Sequence, residues 1–402
     1  MSTNIKIAKA YLILTAASIL GHILSMGKEI LVANYFGITK AMDAFYTALT
    51  IPNWITPIFS SPFILIFIPI FTKYKLTNKE EANRLASILI NYTFIVLILI
   101  TLFVFIFSRA IIQFGFCGLD SETSITSIKI LRIINITIIF TVLVTINTVI
   151  HNANEHFLWP AVSQMFVTIC TILFILFFAK KWGIFVFAWG LLIGLIIQSL
   201  FLIPFTKQQG YKHYFDFRWN HPELKKILNL TFVLILLSII SGFNAPINRI
   251  MASWLPTGSI AALGYADKLV QVPLIVFSGS IATAIYPFIS KQLAENKIEE
   301  MKDALATSIK MMGFIFIPLA VIMITLAKPV IQLLFQRGAF DAQATDLTSK
   351  IFICFTFQLF SNYALVIMLR LIFAFQDLFS ILKVTVIGIV FTILLNYIFI
   401  KT

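Results

Sequence analysis

The chain has 402 residues, of which 59% are hydrophobic and only 12% charged, against about 25% charged in an ordinary soluble domain. With a mean hydropathy of +0.96 there is too little polar surface to cover a soluble core, which excludes a soluble globular protein and points to an integral membrane one. The 30 Lys and Arg against 17 Asp and Glu, a net +13, read as the loop bias of a membrane protein rather than as a nucleic-acid surface, because many cations fall in short loops between apolar runs.

A membrane span needs about 20 predominantly apolar residues. Runs of that kind predict helices near 8–36, 45–72, 84–108, 125–151, 157–179, 183–206, 225–254, 259–290, 304–335, 344–374 and 380–400. They lack strand-like alternation, so the expected class is an all-α polytopic membrane protein with about eleven transmembrane helices, not a barrel. Met1 to Lys9 looks like the start of a signal peptide, but the apolar run continues past His22 and Lys28. That is too long for a cleaved segment and reads as an uncleaved first span. Pro52, Pro57, Pro62 and Pro69 crowd the second run, as is tolerated where backbone is buried in protein or lines a cavity. The longest polar connection, 207–224, carries Tyr, Trp and basic residues suited to the headgroup layer. It divides an expected N-terminal lobe, 1–220, from a C-terminal lobe, 221–402.

Basic residues cluster after the second run (Lys73, Lys75, Lys79, Arg84), the sixth (Lys207, Lys212, Arg218, Lys225, Lys226) and the eighth (Lys291, Lys297, Lys302). These loops share one side with Lys6 and Lys9, while Lys40, Arg109, Lys180 and Lys181 fall on the other. The positive-inside rule then makes the N-terminus cytoplasmic and, with eleven spans, the C-terminus external.

Enzymatic motifs are missing from the sequence. The stretch Gly21 to Lys28 has the wrong spacing for a nucleotide-binding P-loop and is followed by Glu29. The five His form no metal-ligand pattern, and Cys117, Cys170 and Cys354 are too scattered for a disulfide framework or a metal site. Asn91-Tyr92-Thr93 matches a glycosylation acceptor but opens an apolar helix. Transport or scaffolding remains, with no metal, nucleotide or nucleic acid expected.

Charges at membrane depth are costly unless they meet a cavity or a partner. In the first helix, His22 and Glu29 are seven apart and share a face, with Lys28 about 100° round from Glu29. Two readings follow: Lys28 and Glu29 pair and snorkel, or His22 and Lys28 line a cavity that receives an anion. Asp43 reads as an N-cap for the second helix, a role that leaves room for another. Ser238, Ser241, Asn244 and Asn248 lie within about a third of one helix circumference; they either glue helices together or face a cavity. Arg249 follows them, close enough to the Pro256-Thr257-Gly258 turn to snorkel. Asp267 and Lys268 are adjacent inside a helix, cannot face each other, and each need another partner. Lys328, Arg337 and Lys383 lie near helix ends and read as snorkelling cations.

At these residues the chain resembles the MurJ (MviN) family of lipid II flippases. The resemblance is carried by Lys28-Glu29 through Asn34-Tyr35-Phe36-Gly37, Asp43-Ala44-Phe45, Ile51-Pro52-Asn53 and Phe67-Ile68-Pro69 with Lys73-Tyr74-Lys75. It continues in Asn248, Ala252-Ser253, Gly258-Ser259, Tyr265 to Leu269, Tyr286-Pro287 and Ser290-Lys291. Leu334 to Asp341 and Phe373 to Asp377 complete it. The family lies in the multidrug/oligosaccharidyl-lipid/polysaccharide exporter superfamily, which implies two pseudo-symmetric lobes around a central cavity and alternating access. It also implies a cargo, the undecaprenyl-pyrophosphate-linked peptidoglycan precursor, moved across the bacterial cytoplasmic (inner) membrane.

Several positions depart from the family pattern. His22 stands for a cavity Arg, Lys28-Glu29 for an Arg-Asp pair, and Thr56-Pro57 for a basic pair. Ser60-Ser61-Pro62 replaces a Glu-Gly, Lys268 an Arg, and Gln271 a Glu. Lys keeps charge but loses bidentate geometry, and His is cationic only when protonated, so the expected cavity is less cationic than the family's. The chain ends at Lys401-Thr402 where the family continues for about three spans, so the second lobe is expected to be incomplete.

The resulting expectation is a lipid II flippase in which His22, Lys28 and Lys268 hold the pyrophosphate and Asp43 contacts the headgroup or gates the mouth. Glu29, Asn248, Arg249 and Asp267 are cavity or gating candidates. No cofactor is expected, and an ion gradient or the membrane potential would drive transport. The alternatives are a flippase for another undecaprenyl-pyrophosphate-linked glycan, or a non-transporting paralogue that binds membrane lipid or a partner. A multidrug antiporter fits less well, because its cavity should favour acids.

Overall fold

The computed structural model describes residues 3–218, 222–295, 297–374 and 378–401. In chain order the elements are α1 Thr3–Phe36, α2 Lys40–Pro62, a π-helix Phe63–Phe67, α3 Ile68–Thr77, α4 Lys79–Gly115, α5 Ser121–Ile134, α6 Thr137–Ala153 and α7 Leu158–Trp182. There follow α8 Phe185–Gln208, α9 Pro222–Gly242, α10 Asn244–Ala252, α11 Ser259–Ala294, α12 Ile298–Thr325, α13 Ala327–Phe335, α14 Ala342–Ala374 and α15 Leu378–Lys401. The described residues contain no strand, so the all-α membrane class holds. Eight helical stretches among them are long and apolar enough to cross a membrane. The runs expected at 8–36, 259–290 and 344–374 are also helical, as α1, α11 and α14, but lie outside those eight.

Where an expected span is broken, a local cause is visible. The 45–72 run is three elements because Pro52, Pro57 and Pro62 lie inside α2 and Pro69 follows in α3. Pro52, Pro57 and Pro62 each lack an amide donor and crowd the carbonyl four residues back, and the π-turn Phe63–Phe67 follows directly on Pro62. The hydroxyl of Ser61 donates to the Pro57 carbonyl at 2.7 Å. The span 121–153 breaks at Asn135, whose side-chain amide donates to the Thr101 carbonyl of α4 at 2.6 Å. Asn78 caps α4, its side-chain oxygen accepting from the Glu80 and Glu81 amides at 3.0 and 3.2 Å.

By compactness the chain forms two units, one of residues 1–32 and 40–255, the other of 33–39 and 256–402. In the first unit α7 and α8 pack closely because Gly190 and Gly194 present no side chain. A Cβ on Gly190 would lie 2.8 Å from the Thr171 Cα, and one on Gly194 2.6 Å from the Val167 Cα. This four-residue spacing of small residues lets two membrane helices approach backbone to backbone. Polar glue adds to it, with Gln198 donating to the Ser163 hydroxyl of α7 at 3.2 Å, while Thr206 ties α8 to α6 by donating to Asn147 at 2.7 Å.

The connection 211–218 has no regular secondary structure and is pinned along α4. The Asn83 side chain donates to the Gly210 carbonyl at 3.2 Å, and the Tyr214 amide to the Ser87 hydroxyl at 3.0 Å. Asn91 donates to the carbonyls of Tyr214 and Asp216, both at 3.0 Å. Asn83, Ser87 and Asn91 are spaced by four and form one helix face. Asn91 of the apparent glycosylation motif is therefore a buried structural residue.

In the second unit the segment 33–39 packs on the turn before α14. The Ala339 amide donates to the Asn34 carbonyl at 2.9 Å, and the buried Tyr265 hydroxyl donates to the Gly37 carbonyl at 3.3 Å. The Tyr265 ring lies 5.3 Å from that of Phe335 and 5.4 Å from that of Phe340. Asp341 then caps α14, accepting from the Ala344 amide at 2.8 Å.

Candidate functional site

His22 lies in α1 and is exposed. Six residues on, the Lys28 ammonium meets the Glu29 carboxylate at 2.9 Å, with side chains only 17% and 6% exposed. The same ammonium sits 5.6 Å from the centroid of the Phe187 ring of α8. The two residues pair as one reading expected, but they do not snorkel: the pair is held inside the first unit, with an aromatic face as a second partner. The 100° between neighbours on the helix is spanned by the flexible four-carbon Lys stem. Part of the Lys28 charge is thereby already answered by protein.

Asp43 is buried and lies in the first turn of α2. It is not the N-cap, because α2 begins earlier than the apolar pattern indicated, at Lys40. In the first turn its carboxylate still complements the partial positive charge of the helix start.

The span 225–254 is two helices meeting at Phe243. The Trp54 indole donates to the Ile239 carbonyl at 3.3 Å, and its ring lies 5.0 Å from that of Phe243. Beyond the break, the Arg249 guanidinium donates to the Tyr46 carbonyl of α2 at 2.6 Å and lies 5.1 Å from the Tyr46 ring centroid. Arg249 is therefore tied across to α2 rather than snorkelling. Asn248 is exposed. Asn244 has a buried side-chain oxygen without a hydrogen-bond donor among the described residues, and the Ser241 hydroxyl donates to the Leu237 carbonyl of its own helix at 2.7 Å.

In α11 of the second unit, Asp267 is exposed and Lys268 half-buried. The Gln271 side-chain amide reaches Asp267 at 3.5 Å, one turn on. Lys328 meets Asp346 at 3.6 Å. The side chains of Tyr286, Pro287, Ser290 and Lys291 lie outside the described residues.

The family motifs now have positions. Asn34 and Gly37, Tyr265, and Phe335 with Ala339 and Phe340 all meet in the contacts of the second unit. Residues 32–402 match the family described as lipid II flippase MurJ. The chain belongs to that family. A probable lipid II flippase MurJ of Buchnera aphidicola subsp. Acyrthosiphon pisum (strain APS) is 31% identical over 387 residues, 94% of this chain and 75% of that protein. A solved structure of lipid II flippase MurJ in an inward closed conformation has a TM-score of 0.79 and 26% identity, covering 93% of this chain and 79% of that one. An inward-facing multidrug resistance MATE family transporter has a TM-score of 0.68 at 13% identity over 98% of both chains, a likeness of fold alone. The MurJ motifs of this chain include helix-locking residues such as Tyr265 and Gly338 as well as charged ones.

Proposed function

We propose that this chain translocates lipid II, the undecaprenyl-pyrophosphate-linked peptidoglycan precursor, across the bacterial inner membrane by alternating access. The observation that carries this reading is the match to the MurJ family over residues 32–402, supported by the 0.79 TM-score to a MurJ structure. A pyrophosphate sugar headgroup does not cross a roughly 30 Å apolar layer unaided, so its charge needs cations at membrane depth. His22, Lys28 and Lys268 neutralise the pyrophosphate, and Asp43 contacts the sugar-peptide part. Glu29 holds Lys28 in place between cargo cycles, since it already pairs with it at 2.9 Å. Asn248, Arg249 and Asp267 act in gating between two lobes, 1–220 and 221–402. The basic loops support a cytoplasmic N-terminus, and an ion gradient or the membrane potential supplies the driving force.

Complementation tests the reading. The 402-residue chain should restore growth to a bacterium depleted of its lipid II flippase, and Lys268→Ala should reduce that rescue. A well-expressed, membrane-inserted chain that gives no rescue would overturn it.

A further inference from the structure

The end of α4 and the start of α5 form a second basic site, none of whose lining residues is among the candidates above. A cavity of about 730 Å³ there is lined by Arg109, Gln113, Ser121, Ser124, Lys129 and Arg132, among others. Cys117 also lines it. No carboxylate lines this cavity, and no ion pair to any of its three cations occurs among the described residues. The nearby acids are turned elsewhere: Asp120 and Glu122 face Lys40 of α2 at 3.1 and 3.5 Å.

All three cations are exposed, and two of them are tethered. Arg132 donates from Nε to the buried Ser108 hydroxyl of α4 at 2.9 Å, with its guanidinium 5.4 Å from the Phe105 ring centroid. Arg109 donates to the Gln113 side chain at 3.3 Å. At 1.5 Å per residue, Arg109, Lys129 and Arg132 lie about 9, 12 and 17 Å from their helix ends. Leu102, Phe105 and Ile106 of α4 are exposed further along the helix, 53%, 45% and 59% accessible. The surface therefore changes from basic to apolar along α4, the profile of an amphiphile with an anionic head. Free phosphate would have no use for the apolar part.

Charge selects the headgroup. A glycerophospholipid phosphodiester carries one negative charge, whereas the diphosphate diester of a prenyl-linked lipid carries two. Two Arg forks, one ammonium and the Ser121 and Ser124 hydroxyls suit the larger, many-oxygened group. We propose that this α4–α5 groove is a docking site for the diphosphate of a prenyl-linked lipid, at the end of α4 opposite its Asn78 cap. The proposal rests on the reading that the cargo is such a lipid, and it adds a site that His22, Lys28 and Lys268 do not form.

The test uses the full chain in phosphatidylcholine nanodiscs with farnesyl diphosphate as probe. In a Lys28→Gln/Lys268→Gln background, which removes the other proposed diphosphate site, adding Arg109→Gln/Lys129→Gln/Arg132→Gln should weaken binding at least about tenfold, from the loss of charge-assisted hydrogen bonds. Lys28→Gln/Lys268→Gln should leave binding in this groove, read as follows. In a Cys170→Ala/Cys354→Ala background, farnesyl diphosphate should slow maleimide labelling of the exposed Cys117, with or without the Lys28 and Lys268 changes. Phosphatidylglycerol at the same concentration should not slow it. Unchanged probe affinity in the triple variant, unslowed labelling, or equal protection by phosphatidylglycerol would each overturn the proposal. If the triple variant does not fold, the labelling arm decides alone. Failure of growth rescue with groove binding intact would strike the transport reading and not the groove.

Discussion

The backbone amide of Ala339 donates to the carbonyl of Asn34 at 2.9 Å, joining residues about 300 positions apart. On either side of this bond two glycines make the approach possible. Gly37 has φ +53° and a Cβ there would lie 2.1 Å from the Ala339 oxygen; Gly338 has φ +54° and its Cβ would lie 2.3 Å from the Asn34 oxygen. Both positions combine a left-handed backbone with backbone contact, so neither sterics nor torsion admits a side chain.

Gly338→Val should therefore destabilise the protein by roughly 1–3 kcal/mol, the scale of a strained backbone conformation. Thermal unfolding in detergent measures this. Gly388→Ala, where a Cβ meets nothing within 4 Å, is the control and should leave the midpoint unchanged or slightly raised.

The α7–α8 contact gives a second test. Gly194→Ile places a branched side chain where a Cβ would already be 2.6 Å from the Val167 backbone. Overpacking of this kind costs about 1–3 kcal/mol. Crosslinking between cysteines placed on facing α7 and α8 positions should fall in the variant; retained crosslinking with unchanged stability would remove the close-packing argument.

Arg249 offers a separation of structure from gating. Its bond to the Tyr46 carbonyl at 2.6 Å is charge-assisted, and such bonds contribute about 1.5–3 kcal/mol. Arg249→Ala should lower the unfolding midpoint. Arg249→Lys keeps the charge and should recover part of the stability. If Arg249 also gates, the Lys variant should show reduced growth rescue out of proportion to its stability.

The connection 211–218 should loosen in acid. Hydrogen bonds from Arg218 hold the Asp216 carboxyl below its ordinary range, and the nearby Arg84 acts in the same direction. Arg218 lies 2.7 Å from Asp216 and Arg84 3.7 Å. A depressed folded-state pKa means the stabilisation is fully present above the ordinary carboxylate value near 4 and is lost as pH falls through the lowered value. Protection from hydrogen exchange at the Tyr214 and Arg218 amides, taken against the intrinsic rate at each pH, should fall below about pH 4. Asp216→Asn should show low protection throughout, with no such fall.

Hydropathy alone determined that the chain is helical and membrane-spanning, because a bilayer imposes long runs of apolar residues and internally satisfied backbones. The motifs alone carried the family resemblance. Residues such as Gly338 and Tyr265 were legible as motif members, but not why they are there: their partners lie about 230 to 300 positions away, as with Tyr265 and Gly37 and Asn34 and Ala339. Charge positions were legible too, and the Lys28–Glu29 pair was one of two readings, but contacts from one helix to the next were not. Periodicity states which face a residue occupies, whereas a Lys or Arg side chain reaches past its own face to whatever the neighbouring helix presents. That is how Lys28 reaches the Phe187 ring of α8, and Arg249 the backbone of Tyr46. In the sequence Arg109 stands among the loop cations, and Lys129 and Arg132, which no motif singles out, are three apart and so share a helix face. Only the turn at 116–120, which folds α5 back beside α4, sets these cations around one groove, because helix packing and not sequence spacing decides which faces share a space.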